Sequence, residues 1–431
     1  MRRLPIPPVA LAAVLTLLLM GCGGKRTRTT ESKEKLPAPS ANVPAPLNRI
    51  HFFLETSASM GGYLKGGTEF KDVVSDLVTK ANQIKPVSIY TIADKPQPVS
   101  GDVNTFVSEL ATTKLATGRS SELHRIFRQV GEKAKGGDVA ILVSDCILSF
   151  PDADIRRDPQ VNRNNASSTL KNNIYDQFAQ FRKAGIGATV LAYTSAFNGT
   201  YYTYQNKPQK LAGEKRPFYV WIIGRQELVN RVNAQLADLL SEKPQKRLDF
   251  GSATALTNYD LFFSLNKKGD WRADKAGLKD LKLRRGQTAE FALGLDLGQL
   301  PDYAQTPDFL RKNLTVTAGD AQVKLTNVQR KEDVTNADRL KGREQALFNK
   351  DTHVLTFAVS NLFADAADVS VKLPVRFDDW YADGKWSTMD DSTPAGRQGK
   401  TFALQYLMTG VREAYQSSTN DFLNLTIKLE K

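Results

Sequence analysis

Glu55, Ser57 and Ser59 lie at alternate positions in the run Glu55-Thr56-Ser57-Ala58-Ser59-Met60-Gly61-Gly62, directly after the largely apolar residues 50–54. One carboxylate and two hydroxyls on a single loop form a hard, oxygen-only donor set of the kind that suits Mg²⁺ or Mn²⁺. The same residues would also serve as a plain polar turn between a strand and a helix. Other chemistries have less to build on. The three histidines are His51 inside the apolar run, His124 on an expected helix, and His353, a distribution that argues against a zinc hydrolase and a Ser-His triad. Gly399-Lys400-Thr401 lacks the first glycine of a phosphate-binding loop, because position 394 is Pro. No Gly-x-Gly-x-x-Gly follows a strand, so a dinucleotide site has no support.

An apolar run that stops at a carboxylate and glycines reads as a buried strand of a parallel sheet, with a ligand loop at its carboxyl end. Further apolar runs at 87–92, 139–143, 188–193 and 218–223 read as strands. Helices alternate with them. One is capped by Thr68 and carries Phe70, Val73, Val74, Leu77, Ala81 and Ile84 on one face. Others span 103–110, follow Leu123, Ile126, Phe127, Val130 and Ala134, follow Leu170, Ile174, Phe178 and Phe181 up to Gly185, and follow Leu228, Val232, Leu236 and Leu239. This βα alternation predicts a doubly wound, mostly parallel sheet covered on both faces. Two insertions interrupt it: a polar loop at 147–167 and a β-excursion at 201–204 with three tyrosines. Beyond about residue 243 the helix alternation stops. Strands at 261–265, 289–297, 314–318, 323–328, 354–359 and 369–375, some of period two, predict a β-rich, sandwich-like domain, closed by a helix at 402–415 and a strand at 423–429.

The amino end reads as a targeting segment. Residues 1–21 combine basic Arg2 and Arg3 with a short apolar stretch at 9–20, and Leu19-Met20-Gly21-Cys22 resembles a bacterial lipobox. The resemblance implies lipidation of Cys22. Gly23 in place of Asp favours, by similarity to Gram-negative lipoproteins, an outer-membrane address facing the periplasm. Residues 22–48 form a basic tether rich in Pro and Ala, which cannot build a core and prefers extended backbone. The remaining cysteine, Cys146, follows a buried strand and reads as a small core residue. A formal charge of +13, spread along the chain, reads as a solvated surface with some pull toward anionic headgroups or wall polymers. Nucleic acid is not expected as a partner.

Glu55-Thr56-Ser57-Ala58-Ser59 resembles the Asp-x-Ser-x-Ser opening of von Willebrand factor A (vWA) domains, with Glu in place of Asp. Two more pieces occur in that family's order. Thr117-Gly118-Arg119-Ser120-Ser121 precedes a helix where the family places a threonine, and Ser121 matches that threonine best. Ala140-Ile141-Leu142-Val143-Ser144-Asp145 matches the strand that ends in the family's third-loop aspartate. The resemblance covers roughly residues 49–240. It implies that Ser57, Ser59 and Ser121 ligate Mg²⁺ or Mn²⁺ directly, that Glu55 and Asp145 act mainly through water, and that an acidic group of a partner completes the shell. The longer Glu55 departs from the pattern and could displace a water or crowd the ion.

The expected organisation is a leader at 1–21, a lipidated tether at 22–48, a vWA-like domain at 49–243 that folds alone, and a sandwich-like domain at 244–431. The expected function is metal-dependent protein binding or scaffolding at the cell envelope, with an unknown envelope protein as partner, the membrane held through the lipid, and no catalytic residue assigned. The alternatives are a metal-dependent phosphoester hydrolase and a polysaccharide-binding protein using Trp380, Tyr381 and Trp386 as stacking residues.

Overall fold

The first apolar run forms β1 (Arg49–Glu55), and its alternation serves two cores: Ile50, Phe52 and Leu54 enter one, Phe53 the other. The computed structural model describes residues 45–431 except 113–115, 117–121, 148–155, 159, 252–254, 275, 285, 299, 383 and 417–420. Cys22, the leader, the tether up to residue 44, Ser120, Ser121 and much of the 147–167 insertion therefore lie outside the described residues.

The chain is mixed α/β and builds several sheets. The largest has seven strands in the order β3-β2-β1-β4-β6-β5-β7. After β1 come β2 (Val87–Ile92), β3 (Pro96–Pro98), β4 (Asp138–Ser144), β5 (Ile186–Tyr202), β6 (Pro208–Arg225) and β7 (Lys246–Phe250). Only β1–β2 and β1–β4 pair in parallel; the other four neighbours are antiparallel. The sheet is thus mixed, where the βα reading predicts a mostly parallel one. The reason is local. The runs 188–193 and 218–223 belong to β5 and β6, the arms of one long hairpin, and the 201–204 excursion is its tip. No helix separates the arms, and a short turn can join only antiparallel strands.

Helices α1 (Glu69–Ile84), α2 (Val103–Thr112), α3 (Leu123–Lys133), α4 (Lys171–Lys183) and α5 (Gln226–Leu239) connect these strands. Thr68 stands at the N-cap of α1 as expected, but its hydroxyl donates to the Tyr63 carbonyl and makes no cap bond. Gly185 ends α4 region with φ +70, the left-handed backbone that glycine adopts without cost. Residues 161–165 and 166–170 are helical and lead straight into α4, so the second part of the expected polar loop is ordered structure.

The rest of the strands form three smaller sheets. These strands are β8 (Asp260–Phe262), β9 (Asp270–Asp274), β10 (Gly277–Lys282), β11 (Ala289–Leu295), β12 (Thr315–Ala318), β13 (Ala321–Arg330), β14 (His353–Leu362), β15 (Ala366–Pro374), β16 (Ser387–Thr388), β17 (Thr401–Phe402) and β18 (Asp421–Glu430). One sheet runs β12-β15-β18-β10-β9, a second runs β13-β14-β11-β8, and β16 and β17 pair with each other as the third. Alternation along β15 buries Val369, Val371 and Leu373 in a core shared with Phe291, Phe357, Leu425 and Ile427 of the first two.

Helices α6 (Pro307–Asn313), α7 (Arg343–Lys350) and α8 (Leu404–Tyr415) complete the chain. The last belongs to the first sheet's core. Leu404, Leu407, Met408, Val411 and Tyr415 are buried with Ile174, Phe178 and Trp221. Each fully buried side chain of this kind contributes roughly 1.5–3 kcal/mol. With β7 at the sheet edge, residues beyond 243 thus supply both a strand and a helical layer to the sheet that β1 begins. Among the described residues no helix is long and apolar enough to cross a membrane.

Candidate functional site

Parallel pairing of β1 with β4, in the register Leu54 opposite Val143, brings Glu55 and Ser144 to the same sheet end. Asp145 follows at once, Ser57 immediately precedes the short helical turn Ala58–Gly62 after β1, and Ser59 lies on that turn. The structure therefore brings Glu55, Ser57, Ser59 and Asp145 onto one rim. Ser121 and the alternative Ser120 lie outside the described residues.

The hydrogen bonds are directional. Ser57 Oγ donates to Glu55 Oε1 at 2.7 Å and lies 2.9 Å from Ser59 Oγ. Ser144 Oγ donates to the other Glu55 oxygen, so the long Glu side chain spans two hydroxyls. Ser144 Oγ in turn accepts from the Cys146 N–H at 2.8 Å. Cys146 adopts φ +56, a left-handed bend unusual for a non-glycine residue, immediately after Asp145. Its thiol is buried and accepts from Trp221 Nε1 at 3.3 Å, which makes it the core residue expected from sequence.

Asp145 is fully buried. Its Oδ1 accepts from the Ile147 N–H at 3.1 Å, while its Oδ2 has no hydrogen-bond partner. Burial, and then the neighbouring Glu55 charge, raise its pKa above the ordinary carboxyl range, against the pull of the Ile147 N–H, the Ser59 hydroxyl and Arg216.

Does this set fit a divalent ion? Ser57 gives its proton to Glu55, which leaves its lone pairs for a cation or for Ser59. Two adjacent ligands of an octahedral Mg²⁺, each at about 2.1 Å, stand about 3 Å apart. The 2.9 Å between the two serine oxygens meets that spacing. The unpartnered Asp145 oxygen is a further acceptor without a donor. Among the described residues no three His, Cys, Asp or Glu gather about one point, so any ion would rest on hydroxyls. The residues present fit an oxygen site.

Two features were not legible in the sequence. Arg216 of β6 reaches the same rim. Antiparallel pairing sets Ser144 opposite Tyr219, so Arg216 lies three residues past the end of β4. It is 1% exposed; one Nη donates to the Arg397 carbonyl, the other to Tyr201 Oη at 3.1 Å, and Nε has no partner. Burial would lower its pKa, but Tyr201, Tyr63, Asp391 and Asp145 hold it above the ordinary value. Tyr201 donates to the buried Asp391, and Arg397 makes a two-pronged contact with Glu214 at 3.0 and 3.1 Å. Local signals could flag Ser144, at a strand end beside Asp145. Nothing local could flag Arg216, because its place depends on β6 lying next to β4.

The second feature is a cover. The β5–β6 hairpin runs past the sheet and packs on the turn after β1. A Cβ at Gly62 would stand 2.2 Å from the Phe197 ring, and Gly199 approaches the Gly62 backbone closely. Glu55, Ser57 and Asp145 are buried beneath, and Ser59 alone of these four is half-buried. Trp380 and Tyr381 are also buried: Trp380 donates to the Arg247 carbonyl at 3.1 Å and packs edge-on against Trp386. They are core anchors and present no stacking platform.

No protein-family model, curated protein or solved structure matches this chain.

Proposed function

We propose that the chain is a lipid-anchored cell-envelope protein that binds another protein in a metal-dependent way through the rim at the carboxyl ends of β1 and β4. In this reading the seven-stranded sheet is the body of a variant vWA-like fold, and the β12-β15-β18-β10-β9 and β13-β14-β11-β8 sheets are a β-sandwich. Cys22 is the lipid anchor, in an outer membrane and facing the periplasm if the host is Gram-negative. Ser57, Ser59 and Ser121 would hold Mg²⁺ or Mn²⁺, with Glu55 and Asp145 acting chiefly through water. The ion would supply a Lewis-acidic centre for an acidic group of the partner. The reading rests on one observation: two serine oxygens 2.9 Å apart, one already hydrogen-bonded to Glu55, beside a buried carboxylate oxygen without a partner.

Thermal denaturation tests it. A ligand that binds only the folded state stabilises it by about 2.7 kcal/mol at a hundred times its Kd. Added Mg²⁺ or Mn²⁺ should raise the Tm of the wild type, and Asp145→Ala or Ser59→Ala should abolish the rise. A wild-type Tm indifferent to both ions sinks the reading.

Arg216 favours a second reading. A buried guanidinium on this rim can balance Glu55 and Asp145 without any ion. The cluster then only fixes the turn after β1, and metal shifts nothing. Phosphoester hydrolysis is the enzymatic alternative, and metal-dependent turnover lost in Asp145→Ala would favour it.

A further inference from the structure

A cleft of about 830 Å³ lies away from the β1–β4 rim, where β7 and α5 of the seven-stranded sheet meet the segment before α6 and the segment after β15. Its volume is that of a small-molecule pocket, roughly 300–1,000 Å³. The floor is rigid. Arg247 grips Asp249 through Nε and Nη2, each at 2.9 Å, and reaches Asp302 at 2.7 Å. Thr189 also donates to Asp249 at 2.6 Å. The floor charges are therefore already engaged.

The walls are aromatic. Tyr303 and Phe309 meet edge to face with ring centroids 5.2 Å apart, and Phe377 also lines the cleft, its ring braced by Phe250 at 5.4 Å. Two bonds pin the Phe377 side: Tyr303 Oη donates to the Arg376 carbonyl at 2.7 Å, and Trp380 Nε1 donates to the Arg247 carbonyl. The cleft is thus preformed, which lowers the ordering cost of binding.

The mouth is cationic. Arg330 and Arg376 are exposed there, with Asp378 as the carboxylate among them, and the half-buried Arg231 also lines the cleft. Arg231 donates to the Ala45 carbonyl and forms no ion pair among the described residues; nor does Arg376. Arg330 has a long 3.8 Å contact with Glu332, both largely exposed, which is worth little. Guanidinium groups at the mouth of an aromatic slot select a planar ring that carries an anionic group.

We infer that this cleft is a binding site for a small aromatic anion, its ring packed against Tyr303, Phe309 and Phe377 and its carboxylate, sulfonate or phosphate at Arg330 and Arg376. This is independent of the metal reading.

The test uses two fluorescent probes that differ by one group: 8-anilinonaphthalene-1-sulfonate and its uncharged parent N-phenyl-1-naphthylamine. Titrated into the folded full chain, the sulfonate should bind saturably at one site per chain, at least tenfold more tightly than the parent. The double variant Arg330→Ala, Arg376→Ala removes two exposed side chains and should keep the wild-type circular dichroism and Tm. It should reduce sulfonate affinity to that of the parent, while Phe377→Ala should weaken both probes. Equal affinities for the two probes, absence of one-site saturation, or sulfonate binding unchanged in the double variant would overturn the inference.

Discussion

At the scale of single residues, two carboxyl groups dominate. Asp351 is 2% exposed, its Oδ2 has no hydrogen-bond partner, and burial followed by the Asp260 charge raises its pKa to about 8. An unfolded aspartate titrates near 3.9. The folded state therefore holds a proton that the unfolded state releases. The stability due to this group is complete below about pH 4 and is lost as pH rises toward 8. Asp351→Asn should remove that loss and raise the Tm at pH 8, by on the order of 2 °C or more, with little change at pH 4. A pH series of thermal melts decides it; an unchanged slope in the variant refutes the assignment. Glu55 tells a different story, because both its oxygens accept from serines. Glu55→Asp shortens the reach and should cost about 1 kcal/mol through one lost hydrogen bond. If the rim holds an ion, the Mg²⁺-induced rise in Tm should survive this change. Its disappearance would mean that Glu55 is needed at full length.

At the scale of elements, the β5–β6 hairpin and the segment around Asp391 form a lock over the rim. The Gly62–Phe197 contact leaves no room for a methyl group. Gly62→Ala must push the Phe197 ring aside and should destabilise the protein by roughly 1–3 kcal/mol, the usual cost of overpacking. Denaturant unfolding measures it, and a loss below 0.5 kcal/mol would show that the ring moves freely. Removing one partner of a buried ionic network leaves its counterpart uncompensated, at about 3–5 kcal/mol. Arg216→Ala should therefore be among the more damaging substitutions of this region. If it is neutral, the Arg216–Tyr201–Asp391 chain is not a lock.

At the scale of the whole molecule, residues after 243 complete the first sheet's core through β7 and α8. A chain cut at Lys243 would expose the Ile174, Phe178 and Trp221 face. Such a fragment, residues 49–243, should fail to unfold cooperatively on heating, while residues 45–431 should melt in a sharp transition; two sharp transitions would make the halves independent after all. The proposed lipid anchor at Cys22 is tested at the same scale. Cys22→Ser should move the protein from the membrane to the soluble fraction, and unchanged partitioning with no lipid on the wild type would sink it.

Local pattern determined much of this chain. Period-two and period-3.6 alternation fixed the positions of β1, β2, β4, α1, α3, α4 and α5, because those periods follow from backbone geometry that each segment carries by itself. The Glu55, Ser57, Ser59 and Asp145 set was legible for the same reason: a strand end puts its next residues on the sheet rim. Tertiary structure alone decided the rest. Which arm of the β5–β6 hairpin lies beside β4 depends on contacts between distant segments, and that choice carried Arg216 to the rim. The docking of α8 on α4 joins residues more than two hundred positions apart, and its amphipathic face matches many possible surfaces. Burial of the oxygen set beneath the hairpin is likewise a property of packing, which no spacing of Glu, Ser and Asp along the chain encodes.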